Sequence, residues 1–215
     1  EYLTSLEDKI EILSDLGIKC FCLLEFNEKF KDLSPEDFIE RILYEKLNAK
    51  YIIIGDNYHF GKMAKGDKDT LKAYEEEYDY KTCVVDFEMD EDRIINSTDI
   101  RQMIRDGNLQ KANKELARPY RMKGRVVKGK QRGRLLNFPT ANLDPFFKYV
   151  SPKFGVYFTR VYLDNKSYYA LTDVGTNPTF ENEHINIETY ILDFSEDIYD
   201  REMTVEYLEY LRPDY

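Results

Sequence analysis

Seven of the fourteen residues from Arg121 to Arg134 are Lys or Arg, and Gly129 and Gly133 bracket a short turn among them. Glycine lets a backbone approach a phosphate closely and leaves N–H groups free to point at it. Lys128, Lys130, Arg132 and Arg134 add positive charge, although alternation along an extended segment cannot aim all four at one ligand. These residue types favour a local polyanion site. Neither GxxxxGK[ST] nor GxGxxG occurs, so the site is not a P-loop or a dinucleotide fingerprint.

Pro139-Thr140-Ala141-Asn142 follows at once. On an extended segment Thr140 and Asn142 share a face, and both present hard oxygen donors. Mg²⁺ takes such oxygens while bridging phosphates, so the pair suits a metal-bound nucleotide. A simple turn uses the same residue types. A third group is Glu188 in INIETYILDF, where Ile185, Ile187, Thr189 and Ile191 alternate with Asn186, Glu188 and Tyr190. A carboxylate in the mouth of a small barrel can take a proton from a substrate hydroxyl; a solvent-facing strand glutamate has the same local pattern.

The elements that must hold these residues change character along the chain. Up to about residue 118, helical and strand patterns alternate, which implies a parallel sheet with crossover helices. Residues 5–16 read as a helix stopped by Gly17, and IKCFCLLEF as an apolar strand with Cys20 and Cys22 as a buried or half-buried thiol pair. SPEDFIERILYEKL reads as a helix capped by Ser34 with Pro35 first. KYIIIG reads as a buried strand, DKDTLKAYEEEY as a helix and KTCVVDF as a strand. STDIRQMIRDG reads as a helix capped by Ser97 or Thr98 and stopped by Gly107, with NLQKANKEL as a second. After Arg118-Pro119-Tyr120 come β-branched and aromatic runs broken by Gly, Pro, Asn and Asp, the pattern of a small closed antiparallel barrel. RVYLD-NK-SYYAL reads as one of its hairpins. The boundary falls near residue 120.

Charge follows the same division. Residues 1–100 hold 13 basic and 25 acidic side chains, residues 101–150 hold 13 and 3, and residues 151–215 hold 5 and 13. A basic island inside a chain of net charge −10 is not built for non-specific nucleic-acid binding. No apolar run reaches the roughly 18 residues of a membrane helix. Three cysteines without framework spacing suggest a reducing, cytoplasmic setting. Nothing in the sequence signals an oligomeric state.

GRLLNFPTANL, at 133–143, resembles the signature of riboflavin kinases, and the GRVVKG, GVYFTRV, DVGTNPTF and ETYILDF segments match that family in order. LTSLEDKIEIL, LSPEDFIERIL, GDNYHFG and NSTDIRQMIRDG resemble the other half of the bacterial bifunctional riboflavin kinase/FMN adenylyltransferases, the FAD synthetases. The resemblance implies an α/β nucleotidyltransferase-like, Rossmann-type parallel-sheet domain over residues 1–120 and a Greek-key riboflavin-kinase barrel over 121–215. It implies ATP and Mg²⁺ as the phosphoryl donor, riboflavin and FMN as small-molecule substrates, and FMN and FAD as products, with no nucleic-acid or membrane partner.

The resemblance also implies residue roles. Thr140 and Asn142 would bind Mg²⁺ and ATP phosphate, with Gly129, Lys130, Gly133, Arg134 and Pro139 around the nucleotide. Glu188 would be the base that accepts the proton of the riboflavin 5′-hydroxyl. In the adenylyltransferase half, Asn57, Tyr58 and Phe60 would hold flavin, and Ser97, Thr98 and Arg101 would contact nucleotide phosphate. That half opens in the family with an HxGH motif, which this sequence does not contain, and LRPDY stops short of the family's C-terminal helix. The expectation is therefore an incomplete adenylyltransferase half, unable to form FAD, beside a working kinase. A flavin- or nucleotide-binding regulator, and an RNA-binding protein using residues 121–134, are the alternative readings.

Overall fold

The computed structural model describes residues 1–129, 139–164, 166–177 and 184–213. In chain order the elements are α1 (Leu6–Asp15), α2 (Glu28–Lys31), α3 (Pro35–Phe38), a π-helix (Ile39–Tyr44), β1 (Tyr51–Gly55), α4 (Lys68–Ala73), α5 (Glu75–Tyr78) and β2 (Lys81–Val85). Then come β3 (Met89–Asp90), β4 (Arg93–Ile94), α6 (Ser97–Asp106), α7 (Leu109–Glu115), β5 (Tyr120–Val127), β6 (Ala141–Pro145), β7 (Gly155–Leu163), β8 (Lys166–Asn177), β9 (His184–Ile191) and β10 (Glu202–Arg212). The chain forms two compact bodies, Glu1–Ile18 with Ile95–Tyr215, and Lys19–Ile94.

The larger body is a closed barrel in the order β10-β5-β6-β9-β8-β7, antiparallel at every pairing. Closure removes the edges that short strands otherwise expose. Each strand sends alternate residues inward, as β7 does along its whole length. The interior is apolar, with Val126, Tyr157, Val161, Val174 and Tyr207 fully enclosed, except for three buried threonines. Thr159 Oγ1 bonds Thr172 Oγ1 at 2.8 Å, Thr172 Oγ1 bonds Thr189 Oγ1 at 3.0 Å, and Thr159 also donates to the Ala170 carbonyl at 3.2 Å. The chain of hydroxyls meets the demand that buried polar groups be paired. Lys166 pairs with Leu163, so it belongs to strand β8 and not, as expected, to the hairpin turn.

Helices α1, α6 and α7 complete this body. Ile100, Ile104, Leu109 and Ala112 join the barrel's hydrophobic cluster, and each enclosed isoleucine or leucine contributes roughly 1.5–3 kcal/mol. The Asn113 amide fixes α7 to two strands, donating to the Tyr207 carbonyl at 2.9 Å and accepting from the Tyr120 N–H at 2.8 Å. Arg121 ties β5 to α1 through Asp8 at 2.8 Å and Glu11 at 2.9 Å. Helix α6 ends at Gly107 in the left-handed conformation, as expected, but its cap is Asn96, whose side chain accepts from the Thr98 and Asp99 N–H groups. Asn competes equally well with Ser for that role and stands one residue earlier.

In the smaller body β1 and β2 pair in parallel, with Ile52 opposite Thr82 and Ile54 opposite Val84. Ile39, Ile52, Ile54, Phe60, Leu71 and Tyr80 form its core. Ser34 caps α3 and Pro35 opens it, as the sequence requires, and the chain runs on into the π-helix. Strand β1 is buried on one face only; Tyr51 and Ile53 are exposed, whereas a run of apolar residues suggested burial on both. The expected helix over 67–78 divides at Tyr74 into α4 and α5. The expected strand at 18–26 is absent: Leu23, Leu24, Phe26, Cys20 and Cys22 are exposed along irregular backbone. A strand requires a hydrogen-bonded neighbour, and the described residues offer this segment none.

Candidate active site

Strand register assembles the site. Val126, Ala141, Leu143, Ile187 and Thr189 point into the barrel core, so Asn142 and Glu188 must point outward. Asn142 pairs with Val127 on one side and with Glu188 on the other, and Glu188 in turn pairs with Asp173 on β8. Thr140, just before β6, shares Asn142's face, and its Oγ1 donates to Glu188 Oε2 across a long 3.4 Å. Asn186 Nδ2 donates to the other oxygen, Glu188 Oε1, at 2.8 Å. The three side chains singled out in the sequence are thus brought together from two strands that lie 46 residues apart at Asn142 and Glu188. Glu188 does not sit inside the mouth of the barrel; it lies on the outer face, half-buried.

Gly129 closes over the same place. A Cβ built there would lie 2.3–2.4 Å from the amide atoms of Asn142, so no side chain fits without moving that amide. Next to it, Lys128 Nζ stands 5.8 Å from the centroid of the Tyr199 ring, within range of a cation–π contact. A cavity of about 400 Å³ opens at this end of the barrel, lined by Pro139, Thr140, Ala141, Thr189 and Ile191 together with residues 194–199. Arg201 fastens the wall segment, pairing with Asp164 and, at 3.5 Å, with Glu196. Lys130, Gly133 and Arg134 lie outside the described residues.

In the smaller body, Asn57, Tyr58 and Phe60 follow β1 in a turn closed by the Tyr58 N–H to the Gly55 carbonyl at 3.0 Å. Tyr58 and Phe60 stack with centroids 5.8 Å apart, and Phe38 lies 5.3 Å from Phe60. They line an apolar pocket of about 600 Å³ with Phe26, Phe30 and Met63. Burial raises the Tyr58 phenol above its ordinary pKa, which keeps it neutral. Asn57 is exposed and does not line that pocket. Sequence reasoning missed Phe26, Phe30, Phe38 and Met63; the spacing of the first two by four was the available signal.

Ser97, Thr98 and Arg101 sit at the start of α6, and they are engaged within the fold. Arg101 Nη1 donates to Ser97 Oγ at 3.0 Å and Nε to the Glu1 carbonyl at 3.4 Å, while the Thr98 N–H is taken by the Asn96 side chain.

The family model for riboflavin kinase matches residues 116–215, and that for FAD synthetase matches residues 1–99. The bifunctional riboflavin kinase/FMN adenylyltransferase of Listeria monocytogenes is 34% identical over 100% of this chain and 68% of its own length. The chain belongs to the bifunctional riboflavin kinase/FMN adenylyltransferase family. Relatives of the same name from Bacillus subtilis, 32% identical over 100% of the chain and 68% of that protein, and from Escherichia coli K12, 33% identical over 94% and 65%, place it there too. The chain therefore spans about two thirds of the length of these curated relatives. A solved Streptococcus pneumoniae structure, described as a macrolide-efflux protein, superposes with a TM-score of 0.90 at 34% identity, covering 99% of this chain and 68% of that one. Among the described residues no helix is long and apolar enough to cross a membrane. Family members use ATP in flavin cofactor biosynthesis, and both architectures expected from the sequence, a parallel sheet with helices and a closed barrel, are present.

Proposed function

We propose that this chain phosphorylates the 5′-hydroxyl of riboflavin with ATP, giving FMN and ADP, at the cluster of Thr140, Asn142 and Glu188. The observation that carries the reading is the meeting of a carboxylate with a hydroxyl and an amide on one outer face: Asn142 directly opposite Glu188, and Thr140 Oγ1 3.4 Å from Glu188 Oε2. Phosphoryl transfer depends mainly on positioning and charge neutralisation. Glu188 accepts the hydroxyl proton as the substrate oxygen bonds to the γ-phosphorus and ADP departs. Gly129 lets the backbone close on the nucleotide, and Lys128 supplies positive charge beside Tyr199.

Mg²⁺ fits the donor set. The Thr140 hydroxyl and the Asn142 amide oxygen are hard oxygen ligands, the kind Mg²⁺ accepts while keeping several of its waters. Bound there with ATP, it supplies charge neutralisation at the phosphates. Thr140 and Asn142 would hold it. Lys130, Gly133, Arg134 and Pro139 are assigned to the nucleotide on the family motif.

For adenylyl transfer to FMN, the assignments are flavin at Tyr58 and Phe60, with Asn57 beside them, and nucleotide phosphate at Ser97, Thr98 and Arg101. The aromatic pocket supports the first of these, since Tyr58 and Phe60 form part of its wall. Residues 121–215 carry the kinase, residues 1–120 correspond to the adenylyltransferase half, and the working site is cytoplasmic. The test is a product assay with riboflavin, ATP and Mg²⁺ that resolves riboflavin, FMN and FAD. FMN formation that stops on chelation supports the reading, and absence of FMN with metal and ATP in excess refutes it.

A further inference from the structure

Glu188 has two carboxylate oxygens, and its surroundings treat them differently. Oε1 accepts from Asn186 Nδ2 at 2.8 Å, while among the described residues Oε2 has only the Thr140 hydroxyl at 3.4 Å. The first distance is that of a firm charge-assisted bond and the second lies at the limit of hydrogen bonding. Asn186 and Glu188 stand two apart on β9, so both project from its outer face. An ionised carboxylate only accepts hydrogen bonds, so the Asn186 amide must present its nitrogen.

We infer that Asn186 is a positioning residue for phosphoryl transfer: its amide holds Oε1 and so leaves Oε2 aimed at the substrate hydroxyl as the proton acceptor. The inference rests on Glu188 being the base. In the step, the hydroxyl proton passes to Oε2, the hydroxyl oxygen forms its bond to the γ-phosphorus, and the bond from that phosphorus to the ADP oxygen breaks. Among the described residues the groups facing Glu188 are neutral Thr140 and Asn142 from β6, the carboxyl of Asp173 from β8, and Asn186 with the phenol of Tyr190 on β9 itself. Of these, Asn186 and Thr140 donate to the carboxylate, and Asn186 makes the shorter bond.

The variants are Asn186→Asp, which keeps the shape but exchanges a donor for a second carboxylate, Asn186→Ala, which removes the donor, Asn186→Ser, which retains one, and Glu188→Gln. Each is assayed for riboflavin phosphorylation, with kcat and riboflavin KM separated. In Asn186→Asp and Asn186→Ala kcat falls on the order of tenfold and KM changes by less than about twofold, the pattern of an interaction specific to the transition state. Asn186→Ser, which retains a donor, recovers part of kcat. A merely structural role moves stability and is not rescued by the retained donor. Wild-type kcat in both Asn186→Asp and Asn186→Ala, with Glu188→Gln inactive, overturns the role of Asn186 alone. Full activity in Glu188→Gln overturns the base, and the role of Asn186 with it.

Discussion

The Asn142 carboxamide occupies the place where a side chain at residue 129 would begin, with its atoms 2.3–2.4 Å from the position of a Cβ there. Glycine at 129 is what lets the backbone there come this close to the Asn142 side chain. Because Asn142 also stands opposite Glu188, its displacement disturbs the donor set proposed for the metal.

Gly129→Ala is therefore expected to lower the rate of FMN formation by about two orders of magnitude, the cost of misplacing a reacting group by about an ångström. The thermal midpoint should move little, since residue 129 is half-buried at the end of a strand. Steady-state rates and a thermal melt on the same preparation check this; a rate within threefold of wild type contradicts it.

Asn113→Ala should destabilise the larger body by about 1–3 kcal/mol, because it leaves the Tyr120 N–H and the Tyr207 carbonyl without their shared partner. Urea unfolding followed by circular dichroism reads the change. A shift below about 0.5 kcal/mol would mean that α7 is held by apolar contact alone.

Asp67 closes the start of α4 in a capping box, accepting from the Thr70 N–H at 2.9 Å while its own N–H reaches Thr70 Oγ1. The Thr70 backbone N–H, then its hydroxyl, hold the Asp67 carboxyl below the ordinary 3.8. A depressed folded pKa means that the cap's contribution is fully present above the unfolded value and is lost as pH falls through the folded one. Asp67→Asn keeps an acceptor but cannot titrate. The gap in urea midpoint between wild type and Asp67→Asn should be constant above about pH 5 and change below pH 4; a gap independent of pH contradicts the assignment.

Tyr58→Ala removes one stacked ring from the aromatic pocket and leaves Phe60, the more deeply buried partner, in the core. Flavin affinity, read by quenching of FMN fluorescence, should fall about tenfold, the scale of one lost stacking contact. Unchanged affinity would remove the flavin from this pocket.

What the sequence made legible is what depends on alternation. Thr140 and Asn142 share a face because they are two apart on an extended segment, and the alternating set Ile187, Thr189 and Ile191 fixed which way Glu188 points, although not whether that side is the barrel's interior. The change from helical to strand patterns near Pro119 marked the barrel. Residues 18–26 misled because an apolar run states a preference for strand but not the existence of a neighbour. Phe26, Phe30 and Phe38 escaped notice as a pocket wall because their meeting with Tyr58 and Phe60 depends on how α2, α3 and β1 pack. Asn186 read as a polar strand residue; only the contact with Oε1 gives it a task. The pairing of α6 and α7 with the barrel core is likewise long-range, carried by Asn113 and Ile104 and not by any local pattern.

The central claim is that Glu188 removes the proton from the flavin hydroxyl, and the most direct measurement is single-turnover FMN formation by Glu188→Gln with ATP and Mg²⁺ saturating. The account predicts a rate reduced at least about a hundredfold, with riboflavin still binding near its wild-type affinity. Single-turnover FMN formation at the wild-type rate would contradict it.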